Sequence, residues 1–352
     1  MNRYLILQNP GHNRVYYNLS GELALAELKI ATRRLEATCE EIDIVNIKGI
    51  RYISFTTKDE ITDYDLQVLS RLSFVFAIFK DHDKESDCLI PISKYEFEYV
   101  DQKISSLLKY PGKTNELFTK MMINVALLSS DFDYRDQIRL LDPVAGRGTT
   151  LFEAVVYNFE PMGIEIDSKS THACEVFFKK FLEEEKYKHQ SNSRRIYGKN
   201  KSEAIMVREF EYAKSKQEFK EKSSRRKLGI VNGRSQDAAK YFKKESFHVI
   251  VGDLPYGIAH GNAVAQKSNS ITRNPYQLLI QCLPGWSQIL KPGGTIVLAW
   301  NSFVVSKHKL SEVFVENGFE VLNDEPNLQF EHMVDKSIKR DIIIAKKPRV
   351  ST

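Results

Sequence analysis

The chain has 352 residues, 42% of them hydrophobic, and a formal net charge of +5, which suits a folded protein with room for two cored domains and argues against wholesale disorder. Its longest apolar run, over 72–79 and interrupted by Ser73, is far short of a membrane span, and the first residues lack the basic start and apolar core of a signal peptide. The charge is uneven: 16 Lys/Arg stand against 8 Glu over Lys179–Lys227, whereas residues 1–100 carry 12 Lys/Arg and 16 Asp/Glu, so the basic segment is either a local polyanion contact or a solvated insert.

Taken in order, 4–7 predicts a strand and 21–35 an amphipathic helix, with Leu25, Leu28, Ala31 and Leu35 at helical spacing. Two strands over 42–47 and 50–55 flank Gly49, Asp63 is placed to cap a short helix ending near Arg71, and 74–79 closes the set as a strand. The order βαββαβ is that of an α+β, ferredoxin-like unit, expected over residues 1–95. Residues 81–114 are charged and turn-rich, with Pro91, Pro111 and Gly112, and read as the connection, its linker at 96–114.

A second unit is expected over 115–352. Thr114 is placed to cap a helix over 115–128, in which Leu117, Met121, Asn124, Val125 and Leu128 share a face. Strands then follow near 138–142, 161–166, 228–232, 247–251 and 294–300, with helices over 149–158, 170–186, 236–243, 275–290 and 307–317. That alternation is the mark of an α/β fold with a parallel sheet. At the end, 328–333 and 338–346 are separated by four residues, a hairpin that brings the last strand in antiparallel. The polar, basic stretch 187–227 interrupts the alternation as an insertion, with a projecting helix expected over 203–222.

Three strand ends carry the chemistry. Ile138 to Thr150 reads I-R-L-L-D-P-V-A-G-R-G-T-T, a strand, a glycine turn and a helix start. Small residues there admit a ligand to the backbone and to free helix N–H groups. Neither the dinucleotide fingerprint nor a phosphate loop is matched, and Asp142 before the turn repels a pyrophosphate while suiting an amino or cationic group such as the methionine part of S-adenosylmethionine. The next strand ends in Glu165, with Asp167 as an alternate, placed to accept ribose hydroxyls. Asp237, after the third strand, is placed to meet an adenine edge. The fourth reads V-I-V-G-D-L-P-Y-G over Val249–Gly257, ending in an acidic turn. Cys39, Cys88, Cys174 and Cys282 are isolated and belong to none of these motifs. Reduced thiols in a cytoplasmic protein are therefore expected, and a zinc site is not.

In this order and spacing, D-P-V-A-G-R-G-T-T, G-I-E-I-D and D-L-P-Y-G resemble the class I S-adenosylmethionine-dependent methyltransferases, and more narrowly the THUMP-associated RNA methylases that make N2-methylguanosine in tRNA. Pro111-Gly112-Lys113 before a helix and Lys291-Pro292-Gly293-Gly294 before a strand add to the likeness, which covers about 108–346. The resemblance implies a Rossmann-like methyltransferase domain, a seven-stranded mostly parallel sheet with a C-terminal antiparallel hairpin, and S-adenosylmethionine as cofactor. It implies a cofactor set of Asp142, Pro143, Ala145, Gly146, Gly148, Thr149, Glu165, Asp167, Asp237 and Asp253.

For catalysis it points to Asp253, Pro255 and Tyr256. An exocyclic amine is a poor nucleophile because its lone pair is delocalised into the ring, and acceptors on its N–H groups draw that pair out. Asp253 and the Pro255 carbonyl can accept the two N–H bonds while Tyr256 stacks on the base. The expected partner is RNA, with tRNA guanine N2 as the leading target. A DNA adenine-N6 methyltransferase and a non-catalytic nucleic-acid binder stay open beside it. Leu254, where the DNA enzymes carry a first proline, favours guanine. A loop over 258–274, with Lys267 and Arg273, is placed to fold over an extruded base.

Overall fold

The structure, a computed structural model, describes residues 1–10, 14–83, 86–110, 112–197, 204–256 and 274–349. Pro111, Gly257 and 258–273, with Lys267 and Arg273, lie outside the described residues.

The first unit runs β1 (Asn2–Gln8), α1 (Arg14–Thr32), β2 (Cys39–Ile47), β3 (Ile50–Thr57), α2 (Asp63–Arg71), β4 (Val75–Asp83) and β5 (Ser86–Ile92). Its sheet has the order β2-β3-β1-β4-β5, in which the first four strands follow the expected βαββαβ path. Two details differ from the sequence reading. Thr62, not Asp63, caps α2: its side chain accepts from Asp65 N, and Asp65 answers on the Thr62 amide, a reciprocal capping box. Residues 86–92, read as connection, form a fifth strand, because Leu89 to Ile92 pair with β4 and satisfy its open edge.

Next come α3 (Lys103–Leu107), α4 (Glu116–Ser129), β6 (Arg139–Asp142), α5 (Thr149–Val156), β7 (Glu160–Glu165), α6 (Ser168–Glu184), β8 (Lys188–Tyr197), β9 (Ala204–Ala213), α7 (Lys216–Lys220), β10 (Arg226–Asn232), α8 (Ala238–Tyr241), β11 (Phe247–Asp253), α9 (Pro275–Ile289), β12 (Leu290–Asn301), α10 (Lys307–Glu316), β13 (Glu320–Val321), β14 (His332–Asp335) and β15 (Ile338–Lys346). Asn115, not Thr114, caps α4 by accepting from the Leu117 and Phe118 amides, which leaves the Thr114 side chain for other work.

The second sheet has ten strands rather than seven, in the order β13-β15-β12-β11-β6-β7-β10-β9-β8 with β14 on β15. β10, β7, β6, β11 and β12 are mutually parallel. β15 enters antiparallel to β12, as the short spacing before it predicts. The basic insertion is a hairpin, not a projecting helix: β9 pairs with β8 and, antiparallel, with β10. Val207, Phe210 and Tyr212 are buried, so adding strands to an open edge hides more apolar surface than a solvated helix does.

One hydrophobic cluster runs through both units. It joins Leu28 and Ala31 of α1, Val68 of α2 and Phe118, Met122 and Val125 of α4 to Val249 and Val297 under the second sheet. Asn124 of α4 hydrogen-bonds Glu27 of α1. Helix α4 therefore packs on the first unit and on the strands that carry the motifs. Among the described residues no helix is long and apolar enough to cross a membrane.

Candidate active site

The carboxyl ends of β6 and β11 open into one cavity of about 390 Å³, within the range of about 300–1,000 Å³ usual for ligand pockets. Its described lining includes Asp142, Ala145, Gly146 and Thr149 from the first motif, Asp253, Leu254, Pro255 and Tyr256 from the last, and Tyr110 and Thr114 from the segment before α4. Two motifs separated by more than a hundred residues thus face one space because β6 and β11 are neighbours, with Leu141 opposite Ile250.

The glycine turn is built to stay open. Gly146 and Gly148 have φ of +52° and +93°, a region in which a Cβ is strained. A Cβ at Gly148 would also lie 2.6 Å from Cys174 Sγ. The turn folds back as Ala145 N donates to Ile164 O at 2.9 Å and Gly148 N to Ala145 O at 2.8 Å. Pro143 is buried behind it. Thr149 starts α5, and its Oγ1 pairs with the Tyr110 hydroxyl at 2.9 Å.

Asp142 is 3% exposed, and its Oδ1 accepts from Val144 N at 3.0 Å. Burial pushes its carboxyl up to about 7, with Glu165 and Asp253 adding to the rise. A buried acid so placed is ready to ionise against a cation. Glu165 works at the same turn: Oε2 accepts from Gly146 N at 2.9 Å and Oε1 from Asp167 N at 2.7 Å. Burial raises its carboxyl too. Each oxygen has a second lone pair for a ligand hydroxyl.

Two more acids of the expected cofactor set, Asp167 and Asp237, are engaged elsewhere. Asp167 is exposed and caps α6, accepting from Ser170 N at 2.9 Å and Ser170 Oγ at 2.7 Å. The Ser170 bonds hold its carboxyl below the usual value. Asp237 lies at the start of α8 and accepts from Lys240 Nζ at 2.5 Å. Neither lines the cavity among its described residues, and nor does Glu165; Asp167 is a local cap, as a lone acid at a helix start commonly is, whereas Asp237 makes no side-chain capping bond and is paired with Lys240.

Asp253 is the centre of a polar cluster. Thr114 Oγ1 donates to its Oδ2 at 2.7 Å, and the Tyr256 hydroxyl lies 2.9 Å from Oδ1 and 2.7 Å from Oδ2. Leu254, 1% exposed, turns into the core and its amide donates to Ala299 O at 2.8 Å. That anchors the acidic turn to β12. Burial pushes the Tyr256 hydroxyl well above its ordinary pKa, and Asp253 beside it adds to the rise. The Tyr256 hydroxyl also accepts from Arg340 Nε at 2.8 Å and from the same guanidinium's Nη2.

The sequence gives Thr114 only a helix-capping role and singles out neither Tyr110 nor Arg340 as a site residue. Arg340 carried little signal, because it sits inside the charged run K-R-D of the strand I-K-R-D-I-I-I-A-K, and Thr114 carried none, because its local role as a helix cap was equally good.

A profile of the family described as UPF0020, RMKL-like, methyltransferase domain, matches residues 120–314, more than half of the chain. No curated protein matches. Among solved structures, an rRNA methylase of Streptococcus thermophilus aligns at 9% identity and a TM-score of 0.34, over 61% of this chain and 89% of its own. A TehB-like SAM-dependent methyltransferase of Corynebacterium glutamicum aligns at 12% and 0.32, over 60% and 80%. A Streptococcus mutans protein solved in complex with SAH aligns at 11% and 0.35, over 63% and 93%.

Proposed function

The chain belongs to the UPF0020 family of RMKL-like methyltransferase domains, and from that premise we propose that it methylates the exocyclic N2 amine of a guanosine in tRNA. Its cofactor is S-adenosylmethionine, which supplies an electrophilic methyl carbon on a sulfonium. The observation that carries the reading is the single cavity lined by the buried Asp142 carboxyl, the positive-φ glycine turn and the Asp253–Tyr256 turn. The residues fit the cofactor. Asp142 is a desolvated acid for its cationic portion, the glycine turn admits it to the backbone, and Glu165 keeps lone pairs for ribose hydroxyls. Pro143, Ala145, Gly146, Gly148 and Thr149 shape that turn, whereas Asp167, engaged as a helix cap, and Asp237, paired with Lys240, fall outside the proposed set.

Asp253 and the Pro255 carbonyl accept the two N–H groups of the target amine, which frees its lone pair from the ring. Thr114 and Tyr256 already donate to the Asp253 carboxylate, so its remaining lone pairs are aimed without reorganisation at the moment of reaction. Transfer forms an N–C bond and releases one amine proton, which Asp253 takes up. The base and the RNA rest on the resemblance of D-L-P-Y-G and its companion motifs to the guanosine N2-methylases, with Leu254 favouring guanine.

Nucleoside mass spectrometry of tRNA from a strain lacking the protein tests the substrate. Loss of N2-methylguanosine supports the reading, and in vitro label appearing only in DNA adenine rejects it. Calorimetry with S-adenosylmethionine tests the cofactor: no measurable affinity removes every catalytic reading, the non-catalytic binder then remaining. Asp253→Ala is expected to abolish turnover while cofactor binding holds.

A further inference from the structure

We propose that Arg340 is a positioning residue for methyl transfer, acting through the Tyr256 hydroxyl to orient the Asp253 carboxylate. The inference rests on Asp253 being the amine acceptor and adds a residue on the last strand that none of the strand-end motifs contains.

Arg340 is 6% exposed on β15, two sheet positions from the strand that ends in Asp253. Its guanidinium lies 4.6 Å from the Phe118 ring centroid and 5.3 Å from that of Tyr256. Nη2 is 3.7 Å from Asp253 Oδ2, an ion pair rather than a direct hydrogen bond. The direct bonds go to the Tyr256 oxygen, from Nε at 2.8 Å and from Nη2. Stability alone gives little reason for this arrangement, because an apolar side chain of similar volume at a buried ion-pair position is often neutral or stabilising.

The donor inventory fixes the direction of the chain of bonds. A guanidinium has donors only, and a phenol has one proton and two acceptor lone pairs. With two Arg340 N–H groups on its oxygen, the Tyr256 hydroxyl must send its single proton to Asp253. Thr114 Oγ1 donates to the same carboxylate. Asp253 is thereby held as an acceptor between two fixed donors, with its other lone pairs left for an amine. Lysine cannot reproduce the effect, since an ammonium lacks the planar fork that meets one oxygen with two parallel donors and stacks on two rings. Without that fork the phenol is free to rotate and the carboxylate loses its register. A misplacement of about 1 Å near reacting atoms costs on the order of 10²-fold in rate.

The test is a double-mutant cycle in the full chain with Arg340→Lys, Tyr256→Phe and both together. The probes are labelled S-adenosylmethionine and total tRNA from a strain lacking the protein, with Asp253→Ala as the inactive reference. Each single variant is expected to lose about 10²-fold in kcat, with KM for tRNA and calorimetric affinity for S-adenosylmethionine within threefold of wild type. The double variant is expected to lose no more than the worse single one, because the two side chains act as one unit. A merely structural Arg340 gives losses that multiply, or a change in KM and melting temperature with kcat intact; either result overturns the proposal. If Arg340→Lys does not fold, Arg340→Gln, which keeps two N–H donors, enters the same cycle. An active wild type and a dead Asp253→Ala beside a fully active Arg340→Lys sink this inference alone. A wild type that binds the cofactor but labels no tRNA sinks the reading beneath it, and the inference with it.

Discussion

Glu27 of α1 accepts a hydrogen bond from Asn124 Nδ2 of α4 at 2.7 Å, and both residues are fully buried. Ser73 N donates to the same carboxylate oxygen at 3.0 Å, and Ser73 Oγ donates to the other. Asn124 Nδ2 also donates to Arg71 O at 2.9 Å, and Tyr134 donates to Asn124 Oδ1 at 3.0 Å. The helix that follows Thr114 is thus pinned to the first unit by a satisfied polar network inside an apolar cluster. Its Phe118 lies against Arg340.

Glu27→Ala is therefore expected to destabilise the whole chain. It removes the acceptor of three donors, and each buried donor left unsatisfied costs about 1–3 kcal/mol. Urea unfolding is expected to show a loss of about 3 kcal/mol or more in one transition. A loss within the ~0.5 kcal/mol typical of surface substitutions, or separation into two transitions, would mean that this network does not couple the units.

Asp142 predicts how cofactor binding responds to pH. Burial lifts its carboxyl to about 7 in the folded protein, above the ordinary value of about 3.9. For an acid with a raised pKa, the folded state holds the proton that the unfolded state gives up. Its contribution to stability is therefore full at low pH and falls as pH rises from about 4 to about 7, by about 1.4 kcal/mol per unit. Binding a cation runs the other way, because it needs the carboxylate. Affinity for S-adenosylmethionine is expected to fall about tenfold per unit below pH 7 and to level off above it, with release of one proton per molecule bound at the acid end. Calorimetry in buffers of different ionisation enthalpy measures that proton directly. A flat profile in wild type, or the same slope in Asp142→Asn, would remove Asp142 from the cofactor's cationic portion.

Much of this site was legible because strand ends declare themselves locally. An apolar run that stops at an acid and a glycine turn has few other physical readings, and Asp142 and Asp253 need only adjacent parallel strands to meet. What stayed hidden depends on contacts distant in sequence. Thr114 and Asp253 are 139 residues apart, and Arg340 and Tyr256 are 84 apart; no periodicity links them. The hairpin β8–β9 was misread for a different reason. Its Glu, Lys and Arg favour a helix, yet Phe210 and Tyr212 alternate as in a strand, and pairing with β10 over Arg226–Asn232 outweighs the local preference. Asp167 shows the opposite ambiguity, since an acid that caps the helix after a strand occupies the same sequence position as one that holds a ligand.

Gly148→Ala tests the turn. At φ +93° an alanine is strained, and its Cβ would lie 2.6 Å from Cys174 Sγ and 3.2 Å from Phe152. The start of α5 must shift to relieve it. A loss of at least tenfold in S-adenosylmethionine affinity is expected, with a fall in melting temperature. The double variant Gly148→Ala/Cys174→Ala is expected to recover part of the stability by removing the sulfur but not the φ strain. Cofactor affinity that survives Gly148→Ala unchanged would separate this turn from the cofactor site.

The last prediction concerns the basic edge. Strand β8 ends the ten-stranded sheet, and Lys188, Arg194 and Arg195 on it are exposed, with Arg194 3.6 Å from Glu209. Charged side chains on an edge strand always have one task, discouraging pairing with another chain, and a polyanion contact would be a second. The two differ in their salt dependence. If Lys188 and Arg195 each meet a phosphate, replacing both by Gln lowers tRNA affinity and flattens the slope of log K against log salt by about 0.7–0.9 per contact. S-adenosylmethionine affinity is expected to stay the same, because no described residue of the hairpin lines the cavity. Arg225 is a poorer choice for this test, since it is 2.9 Å from Glu211 and already paired. An unchanged slope with increased aggregation would assign the charges to edge protection, and the RNA would then have to be held by another surface.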